Sequence, residues 1–328
     1  MHRLACRHKG AEFPVGNILH QNFEEIWNGD FLKNWRTEFL DGKPKICADE
    51  VKFRKCNSCP SYSKLFPKAQ VSVHQLKKPS RIAFNFNGHC NLECNMCHIW
   101  QKENGLYDKI NFWGQIESWI EDLEEVELLS GEPFIQKDTY KLIDFISRNK
   151  PDVSWTITTN ANWVLTDYIK NKLDKIKIKN IIISLDCVTE QFYKEIGKKG
   201  SFNKALTTLR ALKGYEISRA AAGLSKLDIK VNFLIQKINW TDLALVEEFS
   251  KVEKVDIFRT FLYEPATLSL LTLDESNRVH ILDWYFDNMS ITSLQSSMRV
   301  IRPLIDSLSP LNKIYFYEKF YTGLELTN

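Results

Sequence analysis

The sequence predicts an α/β protein: a partial (β/α)6 barrel preceded by a small cysteine-rich domain and followed by a helix and tail that pack on the barrel. Three observations carry that prediction. From Arg81 onward, short β-rich runs alternate with longer helical ones, the pattern of βα units and a parallel sheet. Four of the eight cysteines, Cys6, Cys47, Cys56 and Cys59, lie before residue 60. Between these regions, Pro60 to Ser80 carries Pro67, Pro79 and several lysines and reads as a connector. The expected boundaries are therefore 1–60 for the cysteine-rich domain, 61–80 for the linker, 81–265 for the barrel and 266–328 for the C-terminal helix and tail.

In the first region, Phe23 to Leu40 has helical character interrupted at Asn28-Gly29-Asp30, with Leu32, Trp35 and Phe39 sharing one face. The candidate strands of the barrel are Ile82 to Phe86, Val126 to Leu129, Trp155 to Thr158, Ile181 to Leu185, Ile229 to Ile235 and Val255 to Tyr263. Of the helices between them, Ser201 to Lys213 is the clearest: Ser201 suits an N-cap, and Phe202, Ala205, Leu206, Leu209 and Leu212 fall on one side. A further helix starts near Asp274, with Val279, Leu282 and Phe286 at helical spacing. The aromatic run Tyr315, Phe316, Tyr317, Phe320 and Tyr321 either packs on the barrel or forms part of a substrate wall, and packing is the simpler expectation.

A chain of 328 residues with ample apolar content can bury a core. Its formal charge of +3, from 44 basic and 41 acidic residues, neither demands nor excludes nucleic acid, which is not indicated as a partner. The N-terminus holds no continuous apolar stretch of signal-peptide length, and no window approaches the roughly 18 apolar residues of a membrane span. A cytoplasmic chain with no membrane partner is expected. In a reducing compartment, clustered cysteines read as metal ligands and not as disulfides.

The densest chemistry lies in Gly88-His89-Cys90-Asn91-Leu92-Glu93-Cys94-Asn95-Met96-Cys97, where C-x3-C-x2-C spacing lets one short loop hold three irons of a cubane cluster. The fourth iron is then free to chelate a substrate or cofactor. The loop follows the first strand directly, at the mouth where parallel barrels place their chemistry. Three other readings stand beside it: a zinc site completed by His98 or His89, haem attachment through Cys94-Asn95-Met96-Cys97-His98, and structural cysteines in the core.

These residues, in this position, resemble the radical S-adenosylmethionine superfamily over Arg81 to about Tyr263. The resemblance implies a TIM-like partial barrel in which Cys90, Cys94 and Cys97 bind a [4Fe-4S] cluster and S-adenosylmethionine chelates the open iron. Leu129-Ser130-Gly131-Glu132-Pro133 is similar to the family's GGEP motif, with Ser130 in place of the first glycine. That motif holds the cofactor's amine through backbone carbonyls and the glutamate, so Ser130, Gly131, Glu132 and Pro133 are cofactor-binding candidates. An ammonium needs acceptors in a fixed arc, and glycine lets the backbone come close.

Thr158-Thr159-Asn160 resembles the polar end of the family's third strand, and Ser184-Leu185-Asp186 its fourth-strand motif near the cofactor's ribose or carboxylate. Asn160, Ser184 and Asp186 join the candidates, as does Asn232 within the fifth strand; a turn or cap role is the alternative for the Ser and Asn residues. Cys187 reads as a small buried residue, or as a thiol near the mouth.

A second resemblance covers the N-terminal region. Val15-Gly16-Asn17-Ile18, Phe23-Glu24-Glu25-Ile26-Trp27-Asn28-Gly29 and Arg36 through Gly42 to Cys47 are similar to auxiliary-cluster domains called SPASM and twitch, which bind a further [4Fe-4S] cluster. Cys6 matches the second hairpin cysteine, and Cys56-Asn57-Ser58-Cys59 supplies the pair after the helix. The domain here precedes the barrel instead of following it, and the first hairpin cysteine has no counterpart. Either Cys47 is the fourth ligand, or that iron is open, or the natural start lies upstream of Met1. A zinc ribbon is the other reading of Cys6, Cys47, Cys56 and Cys59.

The resemblance implies an oxidoreductase or maturase in which S-adenosylmethionine is cleaved reductively and a 5'-deoxyadenosyl radical abstracts hydrogen from a substrate. A flavodoxin- or ferredoxin-type protein would donate the electron. A ribosomally made peptide, oxidised or crosslinked, is the expected substrate, and a sugar or aminoglycoside is the alternative. A non-catalytic iron-sulfur or zinc-binding protein is the reading from another class, against which Gly131, Glu132 and Pro133 weigh.

Overall fold

The computed structural model describes residues 14–41, 72–97 and 104–325, except the side chain of Phe39. The chain divides into two compact units, Met1–Ser80 with Gly105–Leu123, and Arg81–Asn104 with Glu124–Asn328.

In the first unit, α1 (Phe23–Trp27) begins with a reciprocal cap: Asn22 Oδ1 accepts from the Glu25 amide at 2.9 Å, and Glu25 accepts from the Asn22 amide at 2.8 Å. The chain breaks at Asn28-Gly29 and resumes as α2 (Asp30–Leu40), as expected from the sequence. Phe23, Ile26, Leu32 and Trp35 are buried, and so are Phe112 and Ile116 of α3 (Phe112–Glu117) and Trp119, Ile120 and Leu123 beyond it. Phe23 lies 5.1 Å from Trp119 and 5.9 Å from Phe112, ring centre to ring centre. The Arg36 guanidinium bonds the Trp27 carbonyl at 2.7 Å and the Val73 carbonyl at 3.0 Å, tying the segment after residue 71 to the helix break.

The second unit is built on β1 (Arg81–Phe84), β2 (Glu93–Cys94), β3 (Glu125–Leu128), β4 (Ser154–Thr159), β5 (Lys177–Ser184), β6 (Gly197–Lys198), β7 (Asp228–Ile235) and β8 (Asp256–Phe261). Six of these form one parallel sheet in the order β1-β3-β4-β5-β7-β8, the order expected of a partial barrel whose successive units lie side by side. The two short strands β2 and β6 pair antiparallel as a separate ribbon. Helices α4 (Lys137–Asn149), α5 (Asp167–Leu173), α6 (Glu190–Ile196), α7 (Phe202–Ala221) and α8 (Val246–Glu253) connect the strands.

Side chains alternate along each strand, so Ile229, Val231, Phe233 and Ile235 of β7 are buried while Lys230, Asn232 and Leu234 on the opposite face are only partly covered. Ser201 caps α7 as predicted, accepting from the Lys204 amide at 3.4 Å. The helix runs past Gly214 to Ala221 because Tyr215 and Arg219 are buried in its last turns. Arg219 is 1% exposed and bonds Asp174 at 3.0 Å and the Leu173 carbonyl at 2.9 Å.

The C-terminal region holds three helices, α9 (Glu275–Asn288), α10 (Ile291–Asp306) and α11 (Pro310–Glu325). Asp274 is the predicted start of α9, and its carboxylate accepts from the Asn277 amide at 2.8 Å. Phe316 and Phe320 of the aromatic run are buried in a core shared with Phe233, Ile235 and Phe261, while Tyr315 and Tyr321 are exposed. Tyr317, partly buried, packs against the same core, so packing is what three of the five aromatics do. Among the described residues, no helix is long and apolar enough to cross a membrane.

Candidate functional site

The loop that follows β1 is shaped before its first cysteine. Asn87 accepts from the His89 amide at 2.8 Å and donates to Asp138 at 2.8 Å, and Gly88 takes φ = +67°, where a side chain would be strained. Cys94 lies in β2 opposite Gly197, the Asn95 amide bonds the Ile196 carbonyl at 3.0 Å, and the Cys97 amide closes a turn on the Cys94 carbonyl at 3.1 Å. Cys90 and Cys94 are half-buried and Cys97 is exposed.

Burial pushes the Cys94 thiol up to about 12, helped by the negative charges of Asp186, Cys90 and Cys97; burial also raises Cys90. The three sulfurs therefore feel one another, and holding all three as thiolates calls for a cation among them. Among the described residues, no three His, Cys, Asp or Glu side chains converge as ligands of a single ion do.

The turn after β3 sits directly on this loop. Gly131 has φ = +57°, and a Cβ there would come 2.3 Å from the His89 carbonyl oxygen and 2.6 Å from the Gly88 carbonyl carbon. No other residue fits. The Glu132 amide bonds the His89 carbonyl at 2.9 Å, and the Gln136 side-chain amide donates to the same oxygen at 3.0 Å and to the Ser130 carbonyl at 2.8 Å. Pro133 opens a short 3-10 turn, Pro133–Ile135, at a position where no backbone N–H is needed.

Glu132 is wholly buried. Its carboxylate accepts from the Phe134 amide at 3.1 Å, the Asn160 amide at 2.7 Å and the Thr159 hydroxyl at 2.8 Å to each oxygen. Burial still outweighs these donors and lifts its pKa to about 7. Glu132 thus ties the end of β3 to the end of β4, and half-buried Gly131 is the part of the turn nearer the surface. A glycine cradle seated on the three-cysteine loop fits a cofactor held at both.

The end of β4 joins the same assembly. The Asn160 side chain donates to Cys90 Sγ at 3.5 Å and to Asn91 Oδ1 at 2.9 Å; Asn91 donates to the Asn162 carbonyl at 2.6 Å. Asn162 in turn accepts from the Ser201 amide at 2.8 Å and donates to the Tyr193 hydroxyl. Between the two asparagines, buried Ala161 holds φ = +57°.

Ser184 stands opposite Asn232 in the β5–β7 register, on the partly covered face, and Asn232 accepts from Thr260 at 2.9 Å. Burial lifts the Asp186 carboxyl to about 7, with the Leu234 amide as a donor, and its charge reaches Cys94. The structure therefore brings Cys90, Cys94, Cys97, Ser130, Gly131, Glu132, Pro133 and Asn160 into one assembly, places Asp186 beside it, and sets Ser184 and Asn232 as a neighbouring pair. Cys187 is buried, and its thiol is pushed well up by burial and by Asp186.

Asn91, Asn162 and Gln136 join this assembly without being singled out by sequence reasoning, and Thr159 enters it only as part of the Thr158-Thr159-Asn160 run. Cys6, Cys47, Cys56, Cys59 and His98 lie outside the described residues.

Comparison with known proteins agrees with the geometry. The family model "Radical SAM superfamily" matches residues 84–226, and "Iron-sulfur cluster-binding domain" (SPASM) matches residues 4–60. A probable GTP 3',8-cyclase from Methanocaldococcus jannaschii is 26% identical over 176 residues, covering 52% of this chain and 54% of its own. A GTP 3',8-cyclase from Campylobacter curvus is 30% identical over 175 residues, covering 51% of each. The chain spans about half the length of the curated relatives it matches. Among solved structures, Streptococcus suis SuiB bound to precursor peptide SuiA covers 82% of this chain and 61% of that chain, at 17% identity and a TM-score of 0.46, an overlap too loose to carry an argument. A radical SAM domain implies a [4Fe-4S] cluster and S-adenosylmethionine, and a SPASM domain an auxiliary iron-sulfur cluster. The partial parallel barrel and the three cysteines at its mouth fall where residues 84–226 match the radical S-adenosylmethionine superfamily, and the SPASM match over residues 4–60 precedes that domain in the sequence.

Proposed function

We propose that this chain modifies a ribosomally made peptide by hydrogen abstraction, the substrate radical then passing its electron to the auxiliary cluster and losing a proton, which gives a net oxidation or a crosslink. The observation that carries the catalytic part is the seating of Gly131 and Glu132 on His89, which joins a glycine cradle to the three-cysteine loop. When bound, the cluster and S-adenosylmethionine supply the one-electron cleavage and the 5'-deoxyadenosyl radical. Cys90, Cys94 and Cys97 would hold three irons. Gly131 gives the backbone close approach, and Glu132, fixed by Thr159 and Asn160, keeps the turn in place. Asp186, Ser184 and Asn232 are polar groups for the rest of the cofactor or the substrate. A flavodoxin- or ferredoxin-type donor supplies the electron.

The SPASM segment supports a peptide substrate, since the resemblance ties such segments to peptide-modifying members. A second reading rests on the curated relatives, which are GTP 3',8-cyclases: GTP is then the substrate. Mass spectrometry after anaerobic incubation separates the two. A peptide lighter by one hydrogen pair supports the first reading. Conversion of GTP with peptides left unchanged contradicts it and supports the second.

A further inference from the structure

We propose that Asn160 is a positioning residue that sets the reduction potential of the cluster held by Cys90, Cys94 and Cys97, through an N–H···S hydrogen bond to Cys90. The proposal rests on the reading of those cysteines as cluster ligands.

Two nitrogen donors face the Cys90 sulfur, the Leu92 amide at 3.4 Å and Asn160 Nδ2 at 3.5 Å. The direction of the Asn160 amide is forced by the backbone. Its Oδ1 accepts from the Asn162 amide at 2.8 Å, so its other end must be the NH2 group. That NH2 also donates to Asn91 Oδ1 at 2.9 Å, and Asn91 is oriented in its turn by donating to the Asn162 carbonyl at 2.6 Å. Flipping either amide would set a donor against a donor or an acceptor against an acceptor. One residue, Asn162, thus fixes both amides, and its own side chain is anchored by the Ser201 amide at 2.8 Å. The geometry leaves an N–H aimed at a sulfur that ligates iron.

Hydrogen bonds to cluster sulfurs stabilise the reduced, more negative state and are among the levers that set the potential. A donor at Cys90 makes the cluster easier to reduce. Removing it makes reduction harder while the three cysteines stay in place.

The test is a redox titration of the anaerobically reconstituted full chain, followed by the electron paramagnetic resonance signal of the reduced cluster. The relevant signal is the one that changes when S-adenosylmethionine is added. Asn160→Ala is expected to lower the one-electron reduction constant by up to tenfold, a shift of about 59 mV to more negative potential. Asn160→Asp, which turns a carboxylate towards the thiolate, moves it further the same way. An unchanged midpoint in Asn160→Ala, with full iron content, overturns the proposal. If that variant does not load its cluster, Asn91→Ala decides: a smaller negative shift supports the proposal and an unchanged midpoint overturns it. A wild-type chain with no cofactor-responsive signal overturns the cluster reading along with it, an outcome distinct from the others.

Discussion

Gly131 and Glu132 are adjacent, yet they answer to different physics. At Gly131 the constraint is space and backbone: φ = +57° and a carbonyl oxygen 2.3 Å from any Cβ. Gly131→Ala is expected to cost about 2 kcal/mol or more of stability and to weaken binding of S-adenosylmethionine, measured by denaturant unfolding and equilibrium dialysis. At Glu132 the constraint is charge. Burial lifts its pKa from 4.5 to about 7 in the folded chain, so between those values the folded state holds a proton that the unfolded state has lost. Its contribution to stability is full below pH 4.5 and falls by about 1.4 kcal/mol per unit as pH rises to about 7. Glu132→Gln, which cannot ionise, should therefore gain on the wild type across that window and hold a constant difference above it. Unfolding midpoints at pH 5, 6, 7 and 8 would show this, and parallel curves would contradict it. The separation between partners explains why so much of the site is invisible to local reading: Asn91 and Asn162 are 71 positions apart, and Asn162 and Ser201 are 39.

Among the elements, the strands are legible because runs such as Ile229 to Ile235 combine β-branched residues with alternation, and the structure places β7 at Asp228–Ile235. Helix starts are legible for a local reason as well, since Ser201 and Asp274 cap with their own side chains. The end of α7 is not. Gly214 suggests a stop, but a Cβ there would meet nothing, and the helix continues to carry Arg219 into a buried set of acceptors. Arg219→Ala leaves the Leu173 carbonyl without its buried donor, while half-exposed Asp174 keeps the Tyr215 hydroxyl, and is expected to destabilise the second unit by about 2 kcal/mol, measured by denaturant unfolding. Strands β2 and β6 have two residues each, too few for any period to show, although one of those residues is Cys94.

For the whole molecule, the alternation of elements and the spacing of the cysteines foretell the barrel and its mouth. The grouping of Gly105–Leu123 with the first unit is not foretold, because apolar spacing at Phe112, Ile116, Trp119, Ile120 and Leu123 says that a face is buried but not against what. At this scale the iron count is decisive. Two cubanes give about eight irons per chain, and replacing Cys90, Cys94 and Cys97 together by Ala should leave about four. Loss of all iron, or zinc in its place, would contradict an auxiliary cluster in the N-terminal segment.

The loop and the glycine cradle together are expected to hold a cluster and S-adenosylmethionine for reductive cleavage. The most direct test is anaerobic reconstitution of the full chain, reduction with dithionite, addition of S-adenosylmethionine and chromatographic detection of 5'-deoxyadenosine. The wild type is expected to form it, and replacing Cys90, Cys94 and Cys97 is expected to abolish it. A chain with a reducible cluster that forms none would contradict this expectation.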